Sequence, residues 1–184
     1  MTLIVNIFAG PGTGKSVAAA GTFHLLKSQH YHVEHVVEYA KEKVWEESLS
    51  LLSNQIYIFA NQHQRINRCL GKVDAVITDS PINLGLIYGN MYGNEMSKPL
   101  DALIRYEFSK NENLNIVLER TGPYDPRGRV QTFEEAIEVD KKIIDILEQD
   151  GHKYIKIPVD DCTHVRISDL VKEWINNNNK QYCV

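Results

Sequence analysis

Residues 9–16 read Ala9-Gly10-Pro11-Gly12-Thr13-Gly14-Lys15-Ser16, and Val17 opens an apolar-periodic run behind them. Three alternating glycines, a lysine and a hydroxyl in that order suit a backbone that wraps phosphate oxygens: side chains at Gly10, Gly12 and Gly14 would obstruct the approach of the amides. The helix expected from Lys15 onward adds the positive end of its dipole. Lys15 is placed to reach the β- and γ-phosphates of a nucleotide, and the Ser16 hydroxyl to hold Mg²⁺. The pattern is that of a Walker A loop with Ala9 in place of its first glycine. Gly10, Pro11, Gly12, Thr13, Gly14, Lys15, Ser16 and Val17 are therefore the candidate nucleotide-binding residues, and ATP with Mg²⁺ the expected cofactors.

Two carboxylates fall at equivalent places. Asp74-Ala75-Val76-Ile77-Thr78-Asp79-Ser80-Pro81 reads as a buried strand ending on Asp79 before a turn, and Val36-Val37 gives way to Glu38-Tyr39-Ala40-Lys41. In an open parallel sheet the ligand crevice lies at the carboxyl ends of the strands. Asp79 is a candidate for the Mg²⁺ shell, and Asp79 or Glu38 for accepting the proton of a phosphoryl acceptor. Either acid also has an ordinary use, as a cap or as a first-turn charge on a helix dipole. Gln55, Gln62 and Arg65 share roughly one helical face, which could line an acceptor pocket or be solvated surface.

The segment Arg120-Thr121-Gly122-Pro123-Tyr124-Asp125-Pro126-Arg127-Gly128-Arg129 carries two prolines, two glycines and three arginines. It cannot be regular helix or strand. Beside a phosphate loop, a guanidinium-rich segment over about residues 120–131 suits a lid that brings charge onto the transferring group and excludes water, with Arg127 and Arg129 as the lid residues.

The elements that must position these groups alternate. Strand-like runs cover Leu3–Phe8, His32–Val37, Asp74–Asp79, Asn113–Glu119 and Lys153–Val159, and helical patterns cover about 15–29, 39–48, 53–71, 97–111, 132–150 and 164–177. Such alternation predicts an α/β fold: a five-stranded parallel sheet with helices on both faces. Thr132 and Glu135 stand at capping-box spacing before Phe133, Ala136, Ile137, Ile143, Ile144 and Leu147, and Gly151 stops that helix. Trp45 and Trp174 are expected to pack, and the Asn176–Asn179 tail to fray.

The chain has 184 residues, 43% hydrophobic and 24% charged, with a net charge of -4. One domain over 1–184 is expected, and the charge excludes a globally basic nucleic-acid coat, leaving only a local patch. Three cysteines, Cys69, Cys162 and Cys183, lack metal-ligand spacing and leave an odd thiol, against a disulfide framework or a zinc site. His30, His32 and His35 lie together in sequence and are read as surface or core residues. No signal peptide or membrane span is visible, so a cytoplasmic protein without membrane association is expected.

Taken together, Lys15 and Ser16 in the loop, Glu38-Tyr39-Ala40-Lys41, Asp79-Ser80-Pro81 and the arginine segment resemble the nucleoside and nucleotide kinase branch of P-loop proteins. The resemblance spans roughly residues 3 to 159 and extends to the thymidylate kinase family and nicotinamide riboside kinases. It implies a three-layer P-loop kinase fold and ATP-dependent transfer of a γ-phosphate to a nucleotide-type acceptor. The stretch Pro123 to Thr132 also resembles small phage-encoded kinases that include 5-hydroxymethyluracil DNA kinases. That match implies the hydroxymethyl group of a modified pyrimidine in DNA as acceptor, in DNA hypermodification in a host cytoplasm. Arg65, Arg68, Lys72, Arg105, Lys110 and the lid would then have to form the DNA-binding patch. Two alternatives stand: a small-molecule kinase acting on nicotinamide riboside, a nucleoside or a nucleoside monophosphate, and a P-loop ATPase without an acceptor. The sequence leaves oligomeric state open, a homodimer included.

Overall fold

The computed structural model describes residues 1–91, 97–122, 124 and 132–179. Five strands, β1 (Leu3–Phe8), β2 (Val33–Val36), β3 (Ala75–Thr78), β4 (Glu112–Glu119) and β5 (Ile155–Pro158), form one sheet in the order β2-β3-β1-β4-β5. Every adjacent pair is parallel. The central strand β1 pairs Leu3 with both Ala75 and Glu112, so its end, the end of β3 and the end of β4 face the same edge.

Helices cover both faces. On one side α1 (Lys15–Ser28) and α7 (Thr163–Asn179) pack on Leu3, Val5, Ile7, Val33, Ile77 and Ile116. The opposite residues of β1, Ile4 and Phe8, meet α3 (Gln55–Asn67), α4 (Leu84–Met91), α5 (Ser97–Ser109) and α6 (Phe133–Gln149). The period of two along a strand divides the chain's apolar residues between two cores in this way. A short α2 (Tyr39–Trp45) and a 3₁₀ turn, Leu49–Ser53, bridge β2 to α3. This is the expected three-layer α/β fold.

Four local expectations are corrected. Leu84–Met91, for which no element was expected, is helical, and its Gly85 sits where a Cβ would stand 2.9 Å from Ile104. Trp45 is 70% exposed, because α2 ends on it after seven residues. Phe133 is 40% exposed, and the buried face of α6 is Ala136, Val139, Ile143 and Leu147. The asparagines 176–179 continue α7, since Ile175 is still buried and Asn178 Nδ2 donates to the Trp174 carbonyl at 2.9 Å.

Helix α6 starts as the sequence predicts. The Glu135 amide donates to Thr132 Oγ1 at 3.3 Å, and the Thr132 amide donates to Glu135 Oε2 at 2.8 Å. Thr132→Ala should lower the unfolding free energy by about 1 kcal/mol, read as a fall in denaturant midpoint at unchanged slope. An unchanged midpoint would show that the cap carries no stability here.

Candidate active site

At the end of β1 the chain turns through the glycine loop into α1. Gly12 and Gly14 hold φ values of 78° and 103°, in the left-handed region where a side chain is strained. Gly10 has a different reason. A Cβ there would collide with the Ala136 carbonyl and stand 2.9 Å from Asp140 Oδ1, so α6, not a phosphate, is what demands glycine at this position. Thr13 Oγ1 donates to the Gly10 carbonyl at 3.0 Å, and Lys15 Nζ donates to the carbonyls of Ala9 at 2.8 Å and Gly10 at 3.0 Å. The ammonium is thus drawn over the loop. The first intrahelical bond of α1 runs from the Ala18 amide to the Gly14 carbonyl at 3.0 Å, so the Ser16 and Val17 amides precede it at the positive end of the dipole. Val17 itself is 77% exposed, so what it offers a ligand is its amide.

Ser16 Oγ donates to Asp79 Oδ2 at 2.6 Å across 63 residues of chain. Asp79 is buried, and its other oxygen, Oδ1, has no hydrogen-bond partner among the described residues. A hydroxyl and a carboxylate in contact, with one carboxylate oxygen desolvated and unpaired, are oxygen donors of the kind Mg²⁺ takes beside nucleotide phosphates. The residues present therefore fit that ion, and Ser16 and Asp79 would hold it. His35 on β2 lies within electrostatic reach of Asp79, and burial pushes its imidazole below the usual histidine range.

Glu38 is half-buried at the N-cap of α2, two residues after β2, the strand adjacent to β3, which Asp79 follows directly. Behind it, Gln62 accepts from the Tyr39 amide at 2.9 Å and extends Nε2 toward Thr78 Oγ1 at 3.4 Å. Arg65 stacks over the Tyr39 ring at 4.7 Å and donates to both oxygens of Glu42 at 2.6 and 2.7 Å. That fork holds the Glu42 carboxyl below its ordinary range. Gln62 and Arg65 are thus brought together, whereas Gln55 turns back to the Leu52 carbonyl.

Of the residues named for a DNA patch, Arg65 is thus held by Glu42, and others lie away from this edge or are paired. Lys72 and Lys110 precede β3 and β4 in the chain, which places them at the amino edge of the sheet, opposite the glycine loop. Arg105 pairs with Asp150 at 2.9 Å and Lys110 with Glu107 at 3.1 Å, so their charge is met by carboxylates. Arg127 and Arg129 lie outside the described residues.

Three residues near this edge were not singled out from sequence. Arg120, directly after β4, donates from Nη2 to the Pro11 carbonyl at 2.9 Å and to Asp140 Oδ2 at 3.1 Å. Asp140 also accepts from the Gly10 amide. Asn83, ahead of α4, is buried with both amide atoms unpartnered. The guanidinium-rich composition pointed to the segment beginning at Arg120 but not to its first arginine. Nothing in the helical pattern marked Asp140 beyond a polar position.

A family model described as an AAA domain matches residues 4–164. The chain belongs to that family. No curated protein matches it. Among solved structures, this AAA-domain chain is similar to NadR protein in complex with NR, at a TM-score of 0.74 and 16% identity over 95% of this chain and 52% of that one. NadR protein in complex with NAD and AMP-PNP gives 0.67 and 19% over 95% and 50%. Deoxyadenosine kinase from M. mycoides, with products dCMP and a flexible dCDP bound, gives 0.52 and 15% over 98% and 100%. The chain spans about half the length of the NadR chains. At these identities the likeness is one of fold, and the fold is that of P-loop nucleoside-kinase-like proteins. Among the described residues no helix is long and apolar enough to cross a membrane.

Asp79→Asn keeps a hydrogen-bonding group on Ser16 and removes the charge. Turnover in a phosphoryl-transfer assay should fall roughly a hundredfold with ATP affinity changed far less. A variant with parental turnover at saturating Mg²⁺ would remove Asp79 from the chemistry.

Proposed function

We propose that this chain is an ATP-dependent kinase that transfers the γ-phosphate to a hydroxyl of a small, nucleoside-type acceptor carrying no phosphate of its own. The glycine loop would take the triphosphate, with Lys15 on the β- and γ-phosphates and Ser16 and Asp79 on Mg²⁺, which when bound neutralises charge on those phosphates. Asp79 is assigned to the Mg²⁺ side with Ser16, and Glu38, half-buried at the N-cap of α2 just after the neighbouring strand, is assigned the acceptor proton. Residues 1–184 are taken as one kinase domain, with Arg127 and Arg129 as lid arginines.

The observation that carries the acceptor reading is the Glu42–Arg65 fork. An acceptor monophosphate needs cations with unmet charge, and among the described residues Arg65, stacked on Tyr39, has both terminal guanidinium nitrogens on the Glu42 carboxylate. Beside it stand Tyr39 and Tyr57, their hydroxyls 2.6 Å apart, with Lys43 over the Tyr39 ring at 5.0 Å and itself paired with Glu46, so the aromatic surface suits a heterocyclic compound and both cations are already met. Among the described residues, the place of Lys72 and Lys110 at the opposite edge and the pairing of Arg105 with Asp150 speak against DNA. In support, the NadR structures carry NR and AMP-PNP, and the deoxyadenosine kinase structure carries dCMP.

The test is incubation with γ-labelled ATP and separate acceptors: nucleosides, nicotinamide riboside, nucleoside monophosphates, ordinary DNA and hydroxymethyluracil DNA. Label should enter a nucleoside or nicotinamide riboside, and Lys15→Ala should abolish it. Label in a monophosphate or in hydroxymethyluracil DNA would overturn the acceptor assignment, and release of phosphate unaffected by any acceptor would favour the ATPase reading. Glu38→Gln should lower turnover by about two orders of magnitude while leaving the KM for ATP unchanged. Parental turnover in that variant would move the proton to another group.

A further inference from the structure

Asp140 lies in the middle of α6, a helix that otherwise serves the core, and it joins two parts of the edge that are far apart in sequence. Its Oδ1 accepts from the Gly10 amide, and its Oδ2 accepts from Arg120 Nε at 3.3 Å and Nη2 at 3.1 Å. Arg120 closes the figure by donating from Nη2 to the Pro11 carbonyl at 2.9 Å. The loop backbone, the carboxylate and the guanidinium thus form one ring of contacts, with the arginine side chain only 12% exposed.

One guanidinium nitrogen is left over. Arg120 Nη1 is buried and has no hydrogen-bond partner among the described residues, and it lies 3.6 Å from where a Cβ on Gly12 would stand. A desolvated cationic N–H without an acceptor is costly, so its position beside the loop calls for an anionic ligand atom. The fork geometry is what allows this: two nitrogens hold the protein and the third lies beside Gly12 of the loop, which a lysine cannot reproduce. The arginine is further fixed against the Phe133 ring, 5.8 Å away, and Thr121 ties the following residue to the Val159 carbonyl.

We infer that Asp140 is a positioning residue that fixes Arg120 and the glycine loop as one unit, so that Arg120 Nη1 meets a phosphate oxygen of the bound nucleotide. The inference rests on the nucleotide-site reading and adds residues to it.

The experiment is a double-mutant cycle on the full chain with Asp140→Asn, Arg120→Lys and the pair together. Mg·ATP affinity is read by calorimetry and folding by thermal unfolding. Each single change should weaken ATP binding about tenfold or more, and the pair should be no weaker than the worse single variant, because one contact is lost only once. In turnover assays the KM for ATP should rise with the KM for the acceptor unchanged, a split that general loosening of the fold would not give. Additive losses, or parental ATP affinity in either single variant, would overturn the assignment. Should Asp140→Asn fail to fold, Arg120→Lys decides alone, because it keeps the charge and lacks the fork. Binding is measured without an acceptor. A parent that binds ATP and labels nothing therefore refutes the kinase reading, while the cycle still decides the role of Asp140.

Discussion

Parallel strands all release their chains at the same edge, and everything proposed for this protein depends on that constraint. β1 releases the glycine loop there, β3 releases Asp79, β2 releases Glu38 and β4 releases Arg120. The 2.6 Å contact between Ser16 and Asp79 is its direct product, since β1 and β3 run parallel, with Asn6 opposite Thr78, and release their chains at the same edge. A carboxylate placed on the amino side of any of these strands would be the length of the strand away from the phosphates. That is the position of Lys72 and Lys110, and it is why a basic count could not by itself locate a binding face.

Helix α6 adds a second constraint. Its face of Ala136, Val139, Ile143 and Leu147 builds the core behind β1 and β4, and the same helix brings the Ala136 carbonyl against Gly10 and Asp140 against the Gly10 amide. The glycine that looks like part of a phosphate cradle is set by a helix–loop contact. Packing and site geometry are therefore coupled: a change that tilts α6 moves the loop with it, because interiors at close-packed density have little room to absorb a displacement.

Much of this was legible in sequence where one physical signal acted alone. The five short β-branched runs became the five strands, and the Thr132–Glu135 spacing became a capping box, because period and cap chemistry are local properties. The glycine loop was legible as a motif together with its strand and helix. What could not be read depended on contacts made by the finished fold. Leu84–Met91 contains two glycines, poor helix formers, and Gly85 is there to admit Ile104. Arg65 reads in sequence equally as acceptor lining or solvated surface, and its pairing with Glu42 exists only in the finished fold; Trp45, expected to pack, is exposed where α2 stops on it. Arg120 and Asp140 are twenty residues apart with no shared pattern, so only the closing of α6 over the loop makes them neighbours.

The central claim is that the loop of residues 10–17 is a nucleotide phosphate site, and amide hydrogen exchange tests it most directly. Adding Mg·ATP should slow exchange at the Gly12 to Val17 amides, because those N–H groups acquire phosphate acceptors, while the amides of β5 stay unchanged. Unchanged exchange across residues 12–17 at saturating nucleotide, or protection confined to other segments, would contradict the account.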